Sequence, residues 1–221
     1  MKTTLRRQPS AQQGFTLIEL LVVVTIIGIL AGLVMSQATK MMEDARKLQV
    51  QTVLKDLRIA IGNYQVDYNR YPVSPSLLSG GEDGEDIQAI PTDESSGIID
   101  ALLSTSASSA SGGGSGSGIN LNPRDIKYID LPIAKNGVFG LVNAQPPFKL
   151  TDLWGQTYRI LLDTNGDKQV INPDLNNADP AIAQNPLSPP PQKLPTDVAI
   201  YSFGKDKMPQ TKDDVVSWRQ K

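Results

Sequence analysis

The stretch GFTLIELLVVVTIIGILAGLVM, residues 14–35, decides the fold of this chain. From Phe15 to Met35 it is apolar except for two threonines, three small residues and the carboxylate of Glu19. About 21 residues of α-helix rise roughly 30 Å, which is the thickness of the hydrocarbon core of a bilayer. The sequence therefore predicts a transmembrane helix near the start of the chain.

The leader before this helix, residues 1–14, is short and basic. It carries Lys2, Arg6 and Arg7 and no acidic residue. A positive flank is expected to stay in the cytoplasm, so the rest of the chain is expected on the far side of the membrane. A secretory signal is cleaved after its apolar core, whereas the small-residue junction here, Gly14–Phe15, comes before it. Cleavage at that junction would remove the leader and keep the helix.

Glu19 is the second unusual feature of the stretch. An ionised carboxylate inside a bilayer is costly unless it finds a partner, so such a residue indicates a functional site. Cleavage after Gly14 would create an α-amino group on Phe15, four residues before Glu19. We expect this amine to be the counter-ion of Glu19, either within one helix or between neighbouring subunits.

The run GFTLIELLVV after a basic leader resembles the processing signal of type IV pilins and type II secretion pseudopilins. The resemblance implies that a prepilin peptidase cleaves after Gly14 and methylates the new N-terminus on Phe15. It also implies that Glu19 pairs with the amine of the adjacent subunit during assembly.

Composition limits the remaining classes of function. The chain has 221 residues, a net charge of −2, no cysteine and no histidine. This charge provides no electrostatic basis for binding nucleic acid. The missing residue types exclude disulfides and thiolate sites and remove the usual general base and transition-metal ligand. No nucleophile–base pair can be proposed, so we expect a protein that is not an enzyme.

The helical pattern continues beyond the apolar run, through residues 36–71. Apolar residues recur there in steps of three and four, which indicates an amphipathic helix with one buried face. They are Val50, Leu54, Leu57, Ile61, Tyr64 and Tyr68. The residue before a proline avoids the α conformation, so Tyr71-Pro72 predicts a helix end near residues 69–71.

Residues 72–150 are predicted to be a variable insertion with little regular structure. A short helical turn is expected at 98–103, and residues 126–133 and 138–142 could supply short strands. Residues 104–118 are almost all serine, glycine and alanine, which is typical of a flexible loop.

Residues 151–221 are predicted to form an antiparallel sheet and an acidic C-terminal loop. Strands are expected at 158–162, 169–171 and 198–203, with an extended proline-rich linker at 180–195. Three strands laid over the amphipathic helix would bury one face of the sheet, which gives an α+β fold.

The loop between the first two of these strands has two interpretations. Asp163, Asn165, Asp167 and Asp174 match oxygen-ligand positions of an EF-hand-like calcium loop, although Lys168 occupies the position of its glycine. Asn165-Gly166 is also the favoured pair for a tight hairpin turn. Both interpretations remain open at the level of sequence.

Two further segments extend the resemblance to the major pseudopilins. Residues 152–158, DLWGQTY, resemble the segment that opens the sheet in that family, and residues 201–218 are similar to its C-terminal calcium loop. The resemblance implies calcium ligands at Asp206, Asp213 and Asp214, and a plain solvated acidic loop is the alternative that stays open.

The sequence thus predicts a structural subunit of a type II secretion pseudopilus. We expect a single-pass protein of the bacterial inner membrane, with its C-terminal domain in the periplasm. The partners implied by the resemblance are further copies of the chain, the prepilin peptidase, an inner-membrane assembly platform, minor pseudopilins and membrane lipid. Two alternatives remain open: a type IV pilus subunit for adhesion, motility or DNA uptake, and a membrane-anchored calcium-binding module that does not polymerise.

Overall fold

The computed structural model of the chain describes residues 14–78, 88–103, 120–184 and 189–219. It divides into two compact units, Met1–Ala45 and Arg46–Lys221. The basic leader before Gly14 and the predicted flexible loop at 104–118 lie outside the described residues.

The first unit contains the apolar part of helix α1, which runs from Leu17 to Tyr68. Every large apolar side chain between Phe15 and Met35 is at least 44% exposed within the chain. In the described part of the chain, α1 is the one helix long and apolar enough to cross a membrane. Since water does not favour such a surface, this part of α1 needs lipid or other protein around it.

The second unit begins with the amphipathic part of α1. Its predicted stripe is confirmed, because Val50, Leu54, Leu57, Ile61 and Tyr64 are all fully buried. The helix ends at Tyr68, one residue before the predicted range of 69–71, and Asn69 follows with φ +52°. A left-handed residue directly after the last turn is a common helix stop, and asparagine tolerates it better than most residues.

The main sheet has four antiparallel strands in the order β1-β4-β7-β8. They are β1 (Ile90–Pro91), β4 (Arg159–Leu162), β7 (Val198–Ser202) and β8 (Val215–Val216). The central pair β4–β7 runs from Arg159 opposite Tyr201 to Leu162 opposite Val198. These two strands were predicted from the sequence, and the α+β class is confirmed.

Side chains of the central strands alternate between two apolar clusters, as the period of a strand requires. Ile160, Leu162 and Ile200 belong to the cluster that contains the stripe of α1. Leu161 and Tyr201 belong to the second cluster, on the opposite face of the sheet. The expectation that the sheet buries one face is therefore wrong, because apolar side chains cover both faces.

Two small sheets and four short helices complete the described elements. Strand β2 (Gly140–Leu141) pairs with β3 (Leu150–Thr151), and β5 (Val170–Ile171) pairs with β6 (Lys193–Leu194). The helices are α2 (Pro75–Leu78), α3 (Ile98–Leu103), a 3₁₀ helix (Pro173–Asn176) and α4 (Pro180–Ala183). The bounds of α3 agree with the predicted helical turn.

Two predictions for the connecting segments are wrong. Residues 126–133 form no strand, and only Ile133 makes a bridge, to Leu141. The segment 180–195 is not a plain extended linker, since it contains α4 and β6. Leu194 of β6 joins the second apolar cluster. Burial of this side chain holds β6 in place, whereas the prolines of the segment by themselves predict only an extended linker.

The predicted insertion at 72–150 also contributes to the core where it is described. Ile98, Ile99 and Leu102 of α3 pack in the same cluster as the stripe of α1, together with Phe148. Asp100, on the same short helix, is only 5% exposed. Its Oδ1 accepts a hydrogen bond from the Phe148 amide at 3.1 Å, while Oδ2 has no hydrogen-bond partner among the described residues.

Burial raises the pKa of Asp100, and the Phe148 amide opposes that rise only in part. The folded protein therefore binds this proton more tightly than the unfolded chain, whose aspartates titrate near about pH 3.9. The free energy of unfolding should therefore fall as the pH rises from the pKa of the unfolded chain through the raised pKa of Asp100, because the folded state then has to accept the buried charge.

We predict that Asp100→Asn removes this part of the pH dependence. The melting temperature of the variant relative to that of the unmodified chain should rise as the pH is raised from about 4 towards 7. Asp56→Asn, an exposed aspartate on α1, is the control and should give no such trend. A constant difference between Asp100→Asn and the unmodified chain across this range would contradict the prediction.

Candidate functional site

The residues after the predicted cleavage point form a capping box at the start of α1. Thr16 is the residue before the helix, and its backbone N–H and hydroxyl both donate to Glu19 Oε2, at 2.9 and 2.7 Å. The amide of Glu19 in turn donates to Thr16 Oγ1 at 3.3 Å. This reciprocal arrangement satisfies two amides that a helix N-terminus would otherwise leave without acceptors.

The capping box gives Glu19 neutral donors from its own helix. It also fixes the Glu19 carboxylate next to the Gly14–Phe15 junction, because Thr16 directly follows Phe15. Thr16 was not singled out from the sequence as a functional residue. The signal that could have identified it is the spacing Thr-x-x-Glu immediately before an apolar run, which is a known helix start.

The second group of predicted site residues lies in the C-terminal loop between β7 and β8. Carboxylate oxygens of Asp206, Asp213 and Asp214 all lie within 4.8 Å of one another. Asp213 Oδ2 accepts the amides of Lys205 and Asp206 at 2.6 and 3.0 Å. The structure therefore brings together the three acids that the resemblance selected.

The loop is shaped by hydrogen bonds from its own backbone to these acids. Asp214 Oδ2 accepts the amides of Gln210 and Thr211 at 2.8 and 3.3 Å, and Asp206 Oδ1 accepts that of Met208 at 2.8 Å. Each carboxylate therefore stabilises one part of the loop. Together these hydrogen bonds hold the three carboxylates close to one another.

The electrostatics of the cluster show the cost of this proximity. Burial raises the pKa of Asp214 to about 6, and the neighbouring charge of Asp213 adds to the rise. Burial also acts on Asp213, but hydrogen bonds from Asp206, Thr211 and Lys205 outweigh it and hold the pKa of Asp213 below its ordinary value. One ionised carboxylate thus opposes ionisation of the next.

The donor chemistry of this cluster fits a hard cation. Calcium takes six to eight oxygen ligands from carboxylates, carbonyls and water in a flexible geometry. The three acids offer such oxygens from a loop that its backbone bonds already hold in place. A divalent cation would also offset the repulsion from Asp213 that adds to the effect of burial on the pKa of Asp214.

The loop at 163–174 is not the predicted hairpin. Strands β4 and β5, on either side of it, do not pair with each other, since β4 pairs with β1 and β7 and β5 pairs with β6. Asp163 instead organises the loop, accepting the amides of Gly166 and Lys168 at 2.7 and 2.8 Å. The tight-turn interpretation of Asn165-Gly166 is therefore wrong.

The predicted EF-hand-like ligands of this loop have other partners in the structure. Asn165 accepts the Asp167 amide at 2.8 Å, and the Lys193 ammonium lies 2.6 Å from Asp167 Oδ2. This ion pair lowers the pKa of Asp167. Calcium binding by the 163–174 loop remains a prediction.

Asp174, the last predicted ligand of that loop, is 4% exposed and holds the C-terminal end of the described chain. Its carboxylate accepts a hydrogen bond from Trp218 Nε1 at 2.9 Å and forms an ion pair with Arg219 at 2.9 Å. Asn177 donates to it as well, at 3.2 Å. In this arrangement the acid has a structural role.

Comparison with known proteins supports the first of these sites. The family described as the prokaryotic N-terminal methylation motif matches residues 9–35, which include Gly14, Phe15 and Glu19. No solved structure is significantly similar to the chain.

Several curated relatives carry one name, type II secretion system core protein G. The Klebsiella michiganensis protein is 39% identical over 74 residues, which are 34% of this chain and 51% of that protein. The Pseudomonas aeruginosa protein is 42% identical over 67 residues, 30% of this chain and 45% of that protein. The Escherichia coli K12 protein is 37% identical over 68 residues, 31% of this chain and 47% of that protein.

The chain thus spans about half the length of the curated relatives it matches. The family model matches one N-terminal motif, the relatives are of one kind, and the structure adds an exposed apolar helix and an α+β fold. The chain therefore carries the prokaryotic N-terminal methylation motif and is similar, over about a third of its length, to type II secretion system core protein G.

Proposed function

We propose that the chain is a structural subunit of a type II secretion pseudopilus. Its leader is removed after Gly14, the new N-terminus on Phe15 is methylated, and the processed chain polymerises into a periplasmic filament that serves protein export. The observation that carries this proposal is the capping box, which fixes the Glu19 carboxylate beside the Gly14–Phe15 junction at the start of an exposed apolar helix.

The proposed assembly step is an exchange of partners at Glu19. Within a single chain, Thr16 supplies neutral donors to the carboxylate. Processing adds a positive amine on Phe15, directly before Thr16 and four residues before Glu19. Every processed copy of the chain then carries both the amine and the carboxylate. In a medium of low dielectric a charged donor binds a carboxylate more strongly than a neutral one. The amine of one subunit therefore draws Glu19 of the next and sets the axial register of the filament.

The geometry of a filament agrees with this pairing. The amine and the carboxylate are different groups on the surface of each copy, so contacts between copies are head-to-tail. Such contacts extend into an open helix when the rotation between copies does not close a ring. The proposed work is mechanical rather than catalytic.

The proposed location is the inner membrane, with the second unit in the periplasm. The apolar part of α1 is of the kind that anchors a chain in a membrane. The leader carries the only charges close before it, and they are positive, which favours a cytoplasmic N-terminus. We propose the prepilin peptidase, the assembly platform, minor pseudopilins and membrane lipid as partners at this location.

We also propose that Asp206, Asp213 and Asp214 bind calcium and that the ion stabilises the C-terminal loop. Support comes from the distance between their oxygens, within 4.8 Å, and from the raised pKa of Asp214. When bound, the ion would supply positive charge between the acids. Because it would bind the folded chain and not the unfolded one, it would stabilise the fold by mass action.

Replacing the intramembrane acid should separate membrane insertion from assembly. We predict that Glu19→Ala leaves the chain in the membrane fraction but blocks or disorders filaments, because the neighbour's amine then has no carboxylate to bind. Cross-linking of membranes and electron microscopy of sheared filaments measure the two steps. Thr25→Val is the control on the same apolar run, since the Thr25 hydroxyl donates only to the Val22 carbonyl of its own helix. Normal filaments from Glu19→Ala would contradict the pairing.

Removal of the capping hydroxyl should not weaken assembly. Thr16→Val loses a helix cap worth about 1 kcal/mol, but it also removes a neutral donor that competes with the neighbour's amine for Glu19. We predict unchanged insertion and at least as many filaments as from the unmodified chain, measured by the same cross-linking assay. Fewer filaments from Thr16→Val than from Thr25→Val would contradict the exchange of partners.

Calcium should raise the melting temperature of the full-length protein in detergent, and EGTA should reverse the rise. At a calcium concentration of 100 times Kd the expected stabilisation is about 2.7 kcal/mol. Asp206→Asn keeps the oxygen that accepts the Met208 amide but removes a charge, so it should reduce the response. Asp130→Asn, an acid whose side chain is 90% exposed and paired only with nearby Lys127, should not. An unmodified chain that melts equally in calcium and EGTA would refute this proposal.

A further inference from the structure

Asp152 is a buried carboxylate held by uncharged donors. It follows β3 directly and is fully buried. Oδ1 accepts the amides of Trp154 and Gln156, both at 2.8 Å, and Oδ2 accepts the hydroxyl of Ser202. A buried charge of this kind is stable only while its hydrogen bonds are complete. Asp152 therefore fixes the direction of the Ser202 hydroxyl.

Ser202 connects Asp152 to the start of the acidic loop. It is the last residue of β7 and is also fully buried. Because its one proton is donated to Asp152, its oxygen is left as an acceptor, and the amide of Gly204 donates to it at 3.2 Å. The chain of bonds therefore has one direction, from Gly204 through Ser202 to Asp152, and each bond polarises the next.

Gly204 lies directly against the acidic cluster. Its φ is +70°, and a Cβ at this position would lie 2.4 Å from the carbonyl oxygen of Asp213 and 2.6 Å from its Oδ2. Only glycine combines that conformation with so close an approach. The next two amides along the chain, those of Lys205 and Asp206, donate to Asp213 Oδ2. Three consecutive amides are thus directed by two acceptors, Ser202 and Asp213.

We propose that Ser202, held by the buried Asp152 carboxylate, is a positioning residue for the Asp206–Asp213–Asp214 cluster. It fixes the peptide at Gly204, and that peptide fixes the two amides that orient Asp213. Neither Asp152 nor Ser202 belongs to the cluster. Their hydrogen bond therefore acts on the cluster indirectly, through the peptide at Gly204. The part of this inference that concerns a bound cation rests on the proposed calcium site, and the part that concerns loop geometry does not.

The matched control is Ser217, a second serine bonded to the same strand. Its hydroxyl oxygen accepts the amide of Ile200 at 2.9 Å, and it follows β8 instead of entering the acidic loop. Ser202→Ala removes a hydroxyl of β7 itself and Ser217→Ala removes one that is bonded to β7, but only the first breaks the connection to the cluster.

The first experiment measures amide hydrogen exchange in the full-length protein in detergent with EGTA present. In Ser202→Ala, peptides that carry the amides of Lys205 and Asp206 should exchange about tenfold faster, which is the change expected on losing one buried hydrogen bond. Peptides from the centre of β4 should keep their protection. Ser217→Ala should leave the loop peptides unchanged. Unchanged exchange in Ser202→Ala, or equal acceleration in Ser217→Ala, overturns the proposal.

A second variant covers a failure of Ser202→Ala to fold. Ser202→Cys fills nearly the same space with a weaker donor and acceptor. It should give a smaller acceleration at the same amides. Protection of the loop equal to that of the unmodified chain would overturn the proposal.

The second experiment measures calcium affinity by titration calorimetry with the same variants. Ser202→Ala should weaken binding at least about tenfold, or about 1.4 kcal/mol, while Ser217→Ala should bind like the unmodified chain. Equal affinities for Ser202→Ala and Ser217→Ala would overturn the role of Ser202 at the cation site. If the unmodified chain itself does not bind calcium, the calcium proposal fails, and the exchange experiment still decides whether Ser202 positions the loop.

Discussion

The constraint on which this structure depends is that one helix has to be stable in two different environments. From Leu17 to Met35 the apolar side chains of α1 all face outwards, whereas from Val50 to Tyr64 a single stripe is buried against the rest of the second unit. The hydrophobic effect acts on both parts, but only the second part finds its cover within the chain. The first part therefore needs a membrane or other subunits, and Glu19 is the one charged group in it. How that carboxylate is satisfied decides whether the chain stays a lone membrane protein or joins an assembly.

The acidic residues of the second unit show how context separates similar side chains. Asp152 and Asp174 are both almost fully buried, and each accepts hydrogen bonds from residues near it in the sequence and from a distant one, Ser202 or Trp218. The C-terminal acids are more exposed, and they face one another. A buried acid with complete hydrogen bonds holds structure together, whereas neighbouring acids whose charges repel one another offer a place for a cation. In the 163–174 loop Asp174 is of the first kind, since its carboxylate is bonded to Trp218 and Arg219.

Long, strongly patterned elements could be predicted from the sequence, and short ones could not. The stripe of α1 extends over several turns, and the end of the helix is set by local chemistry at Asn69 and Pro72, so both were predictable. Strands β4 and β7 carry branched and aromatic residues over four or five positions. Strands β1 and β8 have two residues each, which is too short for any period to show.

Likewise, Asn165-Gly166 gives a strong local turn signal, but the partner of β5 is β6, which follows α4, and a local signal does not contain that pairing. At the N-terminus the sequence pointed to Gly14, Phe15 and Glu19, while Thr16 was overlooked although its Thr-x-x-Glu spacing is a sequence signal of a helix cap.

The central claim is that processing exposes the amine that Glu19 binds, and mass spectrometry of the N-terminus of the chain purified from its own membranes tests it most directly. The account predicts a mature chain that begins at Phe15, with one methyl group on its α-amine. A native chain that still begins at Met1, or one that is cut beyond the apolar run, would contradict it.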